Sequence, residues 1–197
     1  MMNRDLNFRK FNTGTLFLVR TPEVFPEGYA DECFEDMKNN LHFDFAALLE
    51  TWNCEDGVLW KCDKLPRSGF WAGVERDPVE ECFLAAAKYE MAFLPEAGMM
   101  HKAFMESHPE GMCTTYDGHT SRYGRIGLSP SCPLTLDYFI EKYDAMLEKF
   151  GHHPSCRGIC MPCENGVNLT YDKFTRQAWR ETFGCEMPSP VDIYADK

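Results

Sequence analysis

Residues 136–164 read LDYFIEKYDAMLEKFGHHPSCRGICMPCE. Leu136, Phe139, Ile140, Tyr143, Met146, Leu147 and Phe150 recur at helical spacing, and Gly151 is a natural stop, so the stretch predicts a helix from about Leu134 to Phe150. His152-His153-Pro154-Ser155 then makes a turn into a short apolar run, Cys156 to Cys163, which stops at Glu164. A helix feeding a strand that ends on a carboxylate is the local pattern of parallel α/β enzymes, whose catalytic acids stand at strand ends. The same run also spells Cys156-x3-Cys160-x2-Cys163, thiolate spacing of the kind that holds an iron–sulfur cluster or zinc. The two patterns compete for the same residues.

Working outward, the pattern repeats. Thr15 to Arg20 (TLFLVR) is an apolar run suited to a buried strand, and Asp31 to Leu41 reads as a helix with Phe34, Met37 and Leu41 on one face. His42 to Leu49 is a second strand ending at Glu50 and Trp52, followed by a loop rich in aromatic and turn residues. Asp77-Pro78-Val79-Glu80 is a helix start, with Asp77 as cap, Pro78 at the first helical position and Glu80 placed to complete a capping box. That helix runs to about Glu90 and feeds the strand Met91 to Pro95, which ends at Glu96. From Met99 to Pro133 periodicity fades, and so long an irregular segment is functional or mobile. After the fourth strand Thr170 caps a last helix carrying Phe174, Ala178 and Phe183, closed by Gly184.

Strand and helix thus alternate about four times, which argues for α/β architecture of (β/α)-barrel type, with parallel strands joined by crossover helices. In such a barrel the strand ends share one face, so Arg20, Glu50 with Trp52, Glu96 and Glu164 would meet in one pocket. The 197 residues allow one barrel-like domain spanning 1–197 and fall short of the roughly 250 typical of a closed eight-fold barrel. Four units make an incomplete barrel that leaves strand edges and an apolar interior to be covered, so either self-association into a homo-oligomer or a truncated product poorly stable alone is expected.

Composition excludes several functions. A net charge of −11 and the absence of clustered Lys and Arg argue against nucleic acid or an anionic membrane as partner. No apolar run approaches the roughly 18 residues that cross a bilayer, and MMNRDLNFRKFN puts charges where a signal peptide has its apolar core, so a cytoplasmic location is expected. Ten cysteines in a reducing compartment read as free thiols. Cys82, on the stripe Val79, Cys82, Phe83, Ala86, and Cys33, beside Phe34, fit as small apolar residues.

The run from Ser129-Pro130 through the helix to Lys149-Phe150-Gly151-His152-His153-Pro154-Ser155, then the strand ending at Glu164-Asn165-Gly166, resembles the fourth βα unit of clan A glycoside hydrolases, notably the family 42 beta-galactosidases. Phe174-x4-Trp179-Arg180-x2-Phe183-Gly184 resembles the helix that follows there. The stretch from Asp77-Pro78-Val79-Glu80 to AFLPEAG (residues 92–98) is similar to the third unit. The resemblance implies a hydrolase of neutral, β-linked sugars with Glu164 as general acid/base, no metal and no cofactor. The chain departs from the family pattern at Cys163, which stands where the family has Asn, and the family's nucleophile lies on a seventh strand.

Glycoside hydrolysis needs one carboxyl group to protonate the leaving oxygen and a second to attack or activate water. Glu164 fits the first role if buried at a barrel mouth, and is otherwise a solvated residue closing the strand. Glu50 and Glu96 are the other strand-end carboxylates, as pocket hydrogen-bonders or as structural residues. Arg20 and Asn165 complete the expected sugar contacts. Trp52 and Trp60 offer flat faces to a pyranose ring or fill the core, and His101 stands near the pocket or at the surface. The Cys156, Cys160, Cys163 spacing matches the signature of radical S-adenosylmethionine enzymes. Here it sits late in the chain, with Pro162 where an aromatic is usual. A strand through 157–163 would put Cys160 with Glu164 on one face and Cys163 on the other. Sugar binding without chemistry is the remaining alternative.

Overall fold

The computed structural model describes residues 13–18, 21–49, 57–96, 102–118, 128–160 and 170–190. They group into two compact units, Met1–Gly98 with Lys142–Pro162 and Met99–Glu141 with Cys163–Lys197.

The first unit holds a parallel sheet in the order β1-β2-β3, with β1 at Gly14–Leu18, β2 at Phe45–Leu49 and β3 at Ala92–Pro95. Helix α1, Tyr29–Asn39, joins β1 to β2, and α2, Pro78–Lys88, leads into β3. Gly14 pairs with Phe45, and Phe45 with Ala92. A Cβ at Gly14 would come within 2.3 Å of the Phe45 ring, so a side chain there would require that ring to move. The segment after residue 155 runs parallel along β3 through bridges Phe93 to Cys156 and Glu96 to Cys160. Where a fourth strand was expected, the described residues show these two isolated bridges and no further strand of the three-stranded sheet; Met161 to Cys163 lie outside the described residues.

The helices form where the apolar spacing predicts, with shifted ends. Phe34 and Met37 of α1 are buried, but Leu41 is exposed because the helix stops at Asn39 and His42 takes a left-handed φ of 56°. Asp77 caps α2 as expected: its Oδ1 accepts from the backbone N–H groups of Val79 and Glu80, both at 3.2 Å. Glu80 turns its carboxylate to Nε2 of His153, at 3.1 Å, in place of the expected capping box. The other Asp77 oxygen accepts from the backbone N–H of Lys61 and from the Lys149 ammonium, so one carboxylate ties the 57–77 loop, α2 and residue 149 together.

Phe93 is the centre of the core. Its ring meets Phe83 of α2 at 4.7 Å and Phe34 of α1 at 5.9 Å, both edge-on. Phe83 in turn stacks on Phe150 and on His153, each at 5.0 Å. The His-His-Pro-Ser turn thereby becomes part of the core: His153 is buried, and Ser155 Oγ donates to the Phe83 carbonyl at 2.8 Å. Fully buried rings each contribute several kcal/mol.

Trp60 belongs here as well. It is 1% exposed and meets Phe150 edge-on at 6.2 Å, so it packs the core and offers no face to a sugar. In the same loop Arg67 donates to the carbonyls of Leu59, Val74 and Arg76, while Arg76 holds Glu81 with two hydrogen bonds, at 2.8 and 2.6 Å. Both guanidiniums lie over the buried Trp71 ring, 5.9 and 6.0 Å from its centre.

The second unit contains α3, Lys102–Ser107, the first part of α4, Pro133–Phe150, and α5, Lys173–Phe183. The stretch expected to be irregular includes α3 and a 3-10 turn at Pro109–Gly111. Met112 bridges Leu128, and Tyr171 donates its N–H to the Thr114 carbonyl at 2.7 Å. Asp172, rather than the expected Thr170, caps α5 by accepting from the N–H groups of Phe174 and Thr175. Thr170 donates instead to that carboxylate, at 2.8 Å. On α4 the buried arc is Thr135, Phe139, Lys142, Ala145, Met146 and Phe150, whereas Leu136, Ile140 and Leu147 stand in solvent. The expected apolar stripe therefore merged a core arc with an exposed one beside it. Among the described residues no helix is long and apolar enough to cross a membrane.

Candidate functional site

The two faces of the sheet differ in what they carry. Phe93 points towards α1 and α2, so Ala92, Leu94 and Glu96, alternating with it, point to the other face. Phe45 and Ala47, the register partners of Ala92 and Leu94, share that face. Glu96 ends β3 there, only 1% exposed, with its N–H bonded to the Leu48 carbonyl at 3.0 Å. A buried carboxylate at a strand end, on the side away from the helices, can take a hydrogen bond from a hydroxyl or exchange a proton with a ligand.

Cys160 stands beside it. Its N–H donates to the Pro95 carbonyl at 2.9 Å, and it bridges Glu96 directly. Paired residues of parallel strands project to the same side, so Cys160 shares the Glu96 face. Cys156 does not. It bridges Phe93 and is buried on the helix-covered side. One more residue separates the two cysteines than separates Phe93 from Glu96, and the extra residue falls around Gly158, whose φ of 150° only glycine adopts readily. This bulge is what strand alternation alone does not reveal. An isolated glycine within an apolar run was its sequence signal.

The bulge bears on the cysteine spacing. Cys156 and Cys160 project to opposite faces of the sheet, an arrangement that does not offer both thiolates to one metal. Cys163 lies outside the described residues, and among those described no three His, Cys, Asp or Glu side chains gather as a metal site. Elsewhere burial pushes the Cys82 thiol well above its ordinary pKa, as expected of a core residue. Cys33 is only half-buried, and burial raises its thiol too.

Of the site residues read from the sequence, Glu96 is placed at the strand end. Arg20, Glu50, Trp52, His101, Glu164 and Asn165 lie outside the described residues.

The alpha-L-fucosidase isoenzyme 2 of Paenibacillus thiaminolyticus superposes with a TM-score of 0.65 at 12% identity, over 93% of this chain and 28% of that one. The beta-galactosidase of the psychrophilic Marinomonas ef1 gives 0.60 at 16% identity, over 87% and 25%. That of Rahnella sp. R3 gives 0.60 at 10% identity, over 88% and 24%. The fold is glycosidase-like. The chain spans about a quarter of the length of each of these structures. No protein-family model and no curated protein matches the sequence.

Proposed function

We propose that the chain is part of a (β/α)-barrel of glycoside hydrolase type and takes a neutral carbohydrate at the C-terminal ends of its strands, with Glu164 as general acid/base. The observation that carries this is the position of Glu96, buried at the end of β3 on the face away from the helices, with Cys160 beside it. Glycoside hydrolysis requires a pair of carboxyl groups, and the sequence resemblance assigns Glu164 as the general acid/base of that pair. Arg20, Glu50, Trp52 and Asn165 supply the sugar contacts, and the likeness to a fucosidase and to galactosidases supports the substrate class at the level of fold.

Turnover of nitrophenyl glycosides by the wild-type chain, Glu164→Gln and Glu96→Gln tests the assignment. Loss of the acid/base should lower turnover by roughly 10²–10⁴ in Glu164→Gln, and activity equal to wild type would remove Glu164 from the mechanism. A second reading is binding without hydrolysis, since the nucleophile that the resemblance implies lies on a seventh strand and neither Glu50 nor Glu96 matches it. It predicts a saturable change in tryptophan fluorescence with sugars and no turnover.

A further inference from the structure

We propose that a cleft at the start of β3 binds a small zwitterion with an apolar body, of the class of neutral α-amino acids. The cleft encloses about 240 Å³ between the end of α2 and the turn before Cys156. Ala87, Met91, Ala92 and Pro154 form its apolar lining, and Glu90 and Arg157 supply opposite charges. The volume lies below the roughly 300–1,000 Å³ of sites for drug-sized ligands, which points to a smaller molecule.

Three observations converge on it. Among the described residues, neither the Glu90 carboxylate nor the Arg157 guanidinium forms an ion pair or a hydrogen bond, with each other or with a third group. Two opposite charges beside one apolar hollow match the two ends of a zwitterion: the Arg fork suits a carboxylate, and Glu90 accepts from an ammonium. Secondly, Glu90 occupies a backbone position made for glycine. Helix α2 ends with Met91 N–H bonded to the Ala86 carbonyl and Glu90 N–H to that of Ala87, the paired closure in which the residue at Glu90 is left-handed. Its φ is 55°, unfavourable for any residue with a Cβ. Strain of that kind, at a charged residue lining a cleft, is an indicator of function. Thirdly, the opposite wall is rigid. Ser155 Oγ is bonded to the Phe83 carbonyl and the Ser155 carbonyl accepts from Phe93 N–H, each at 2.8 Å, so Arg157 extends from a fixed segment. The cleft opens where β3 begins and Glu96 stands where it ends, so this proposal is independent of the glycosidase assignment.

The test is titration of the full chain with L-leucine, followed by NMR chemical shifts or calorimetry. Leucinol, which lacks the carboxylate, N-acetyl-leucine, which lacks the ammonium, and glucose serve as comparisons. Leucine should bind saturably, and either leucine derivative should bind at least about tenfold more weakly. Arg157→Ala should lose binding to the same degree. Glu90→Gly should lose binding while raising Tm, because it relieves the backbone and removes the carboxylate together; its gain in stability rules out misfolding as the cause. No saturable binding of leucine up to about 10 mM, binding that survives both substitutions, or equal binding of the neutral derivatives would each overturn the proposal.

Discussion

The backbone N–H of Cys160 donates to the carbonyl of Pro95 at 2.9 Å, and this bond seats a thiol next to the buried Glu96. It depends on the bulge at Gly158. A Cβ there would meet Leu94 Cδ2 at 3.5 Å, an ordinary contact, so the obstacle to a side chain is the backbone φ of 150° and not space.

Gly158→Ala is therefore expected to cost about 1–3 kcal/mol, read as a lower urea midpoint at unchanged slope. The strained residue can also relax by slipping the segment one position along β3, which would turn Cys160 to the helix side. Maleimide labelling of a variant that retains Cys160 as its sole cysteine should then slow on introducing Gly158→Ala. An unchanged midpoint and unchanged labelling would contradict the bulge.

Asp77 joins three parts of the chain through one carboxylate, capping α2 with one oxygen and holding Lys61 N–H and the Lys149 ammonium with the other. Loss of an N-cap alone costs about 1 kcal/mol. Asp77→Ala should exceed that, at about 2 kcal/mol, because Lys61 N–H and the partly exposed Lys149 ammonium, which keeps the Lys61 carbonyl, lose this carboxylate as well. Asp77→Asn keeps the cap and should fall between Ala and wild type. Denaturant midpoints of the three proteins decide the order.

Phe83 touches Phe93, Phe150 and His153, so Phe83→Ala should remove about 3–5 kcal/mol and leave a cavity that cannot close from one side. A smaller loss, below about 1 kcal/mol by denaturant titration, would mean that the three rings do not form a packed core.

These dependencies explain how far the sequence could be read. Asp77-Pro78 announced a helix start because cap and proline act locally, and the apolar runs at 14–18, 45–49 and 92–95 became strands because burial on a parallel sheet needs little beyond such runs. Glu96 could be placed at a strand end for the same reason. Tertiary choices were not legible. Nothing local tells that Leu136, Ile140 and Leu147 face solvent while the polar Thr135 and Lys142 are buried, since both arcs of α4 carry helical spacing. Nor does alternation foresee that Gly158 absorbs an extra residue and parts Cys156 from Cys160. Trp60 suited a sugar face or, as the commoner use of Trp, the core, and the Phe150 ring against it puts it in the core.

The last expectation concerns acid. Asp172 is buried at the start of α5, its Oδ1 accepting from Phe174 and Thr175 N–H and its Oδ2 from the hydroxyls of Thr170 and Thr175. Burial pushes its carboxyl upward, but the hydrogen bonds from Thr175 N–H and from the hydroxyls of Thr170, Ser129 and Thr175 together outweigh burial and hold it below the ordinary value. The unfolded chain then binds this proton more readily than the folded one. Its contribution to stability is complete above the unfolded pKa of about 3.9 and is lost as pH falls through the lower folded value. Asp172→Asn still caps the helix but accepts fewer hydrogen bonds and loses the charge that favours a helix N-terminus, so at neutral pH it should cost about 1 kcal/mol. Below the folded pKa that difference should shrink, because the wild-type carboxyl is then neutral as well. Tm measured for both proteins from neutral pH down into the acid limb tests this directly: the two curves should converge as pH falls, and parallel curves would show that Asp172 does not titrate with folding.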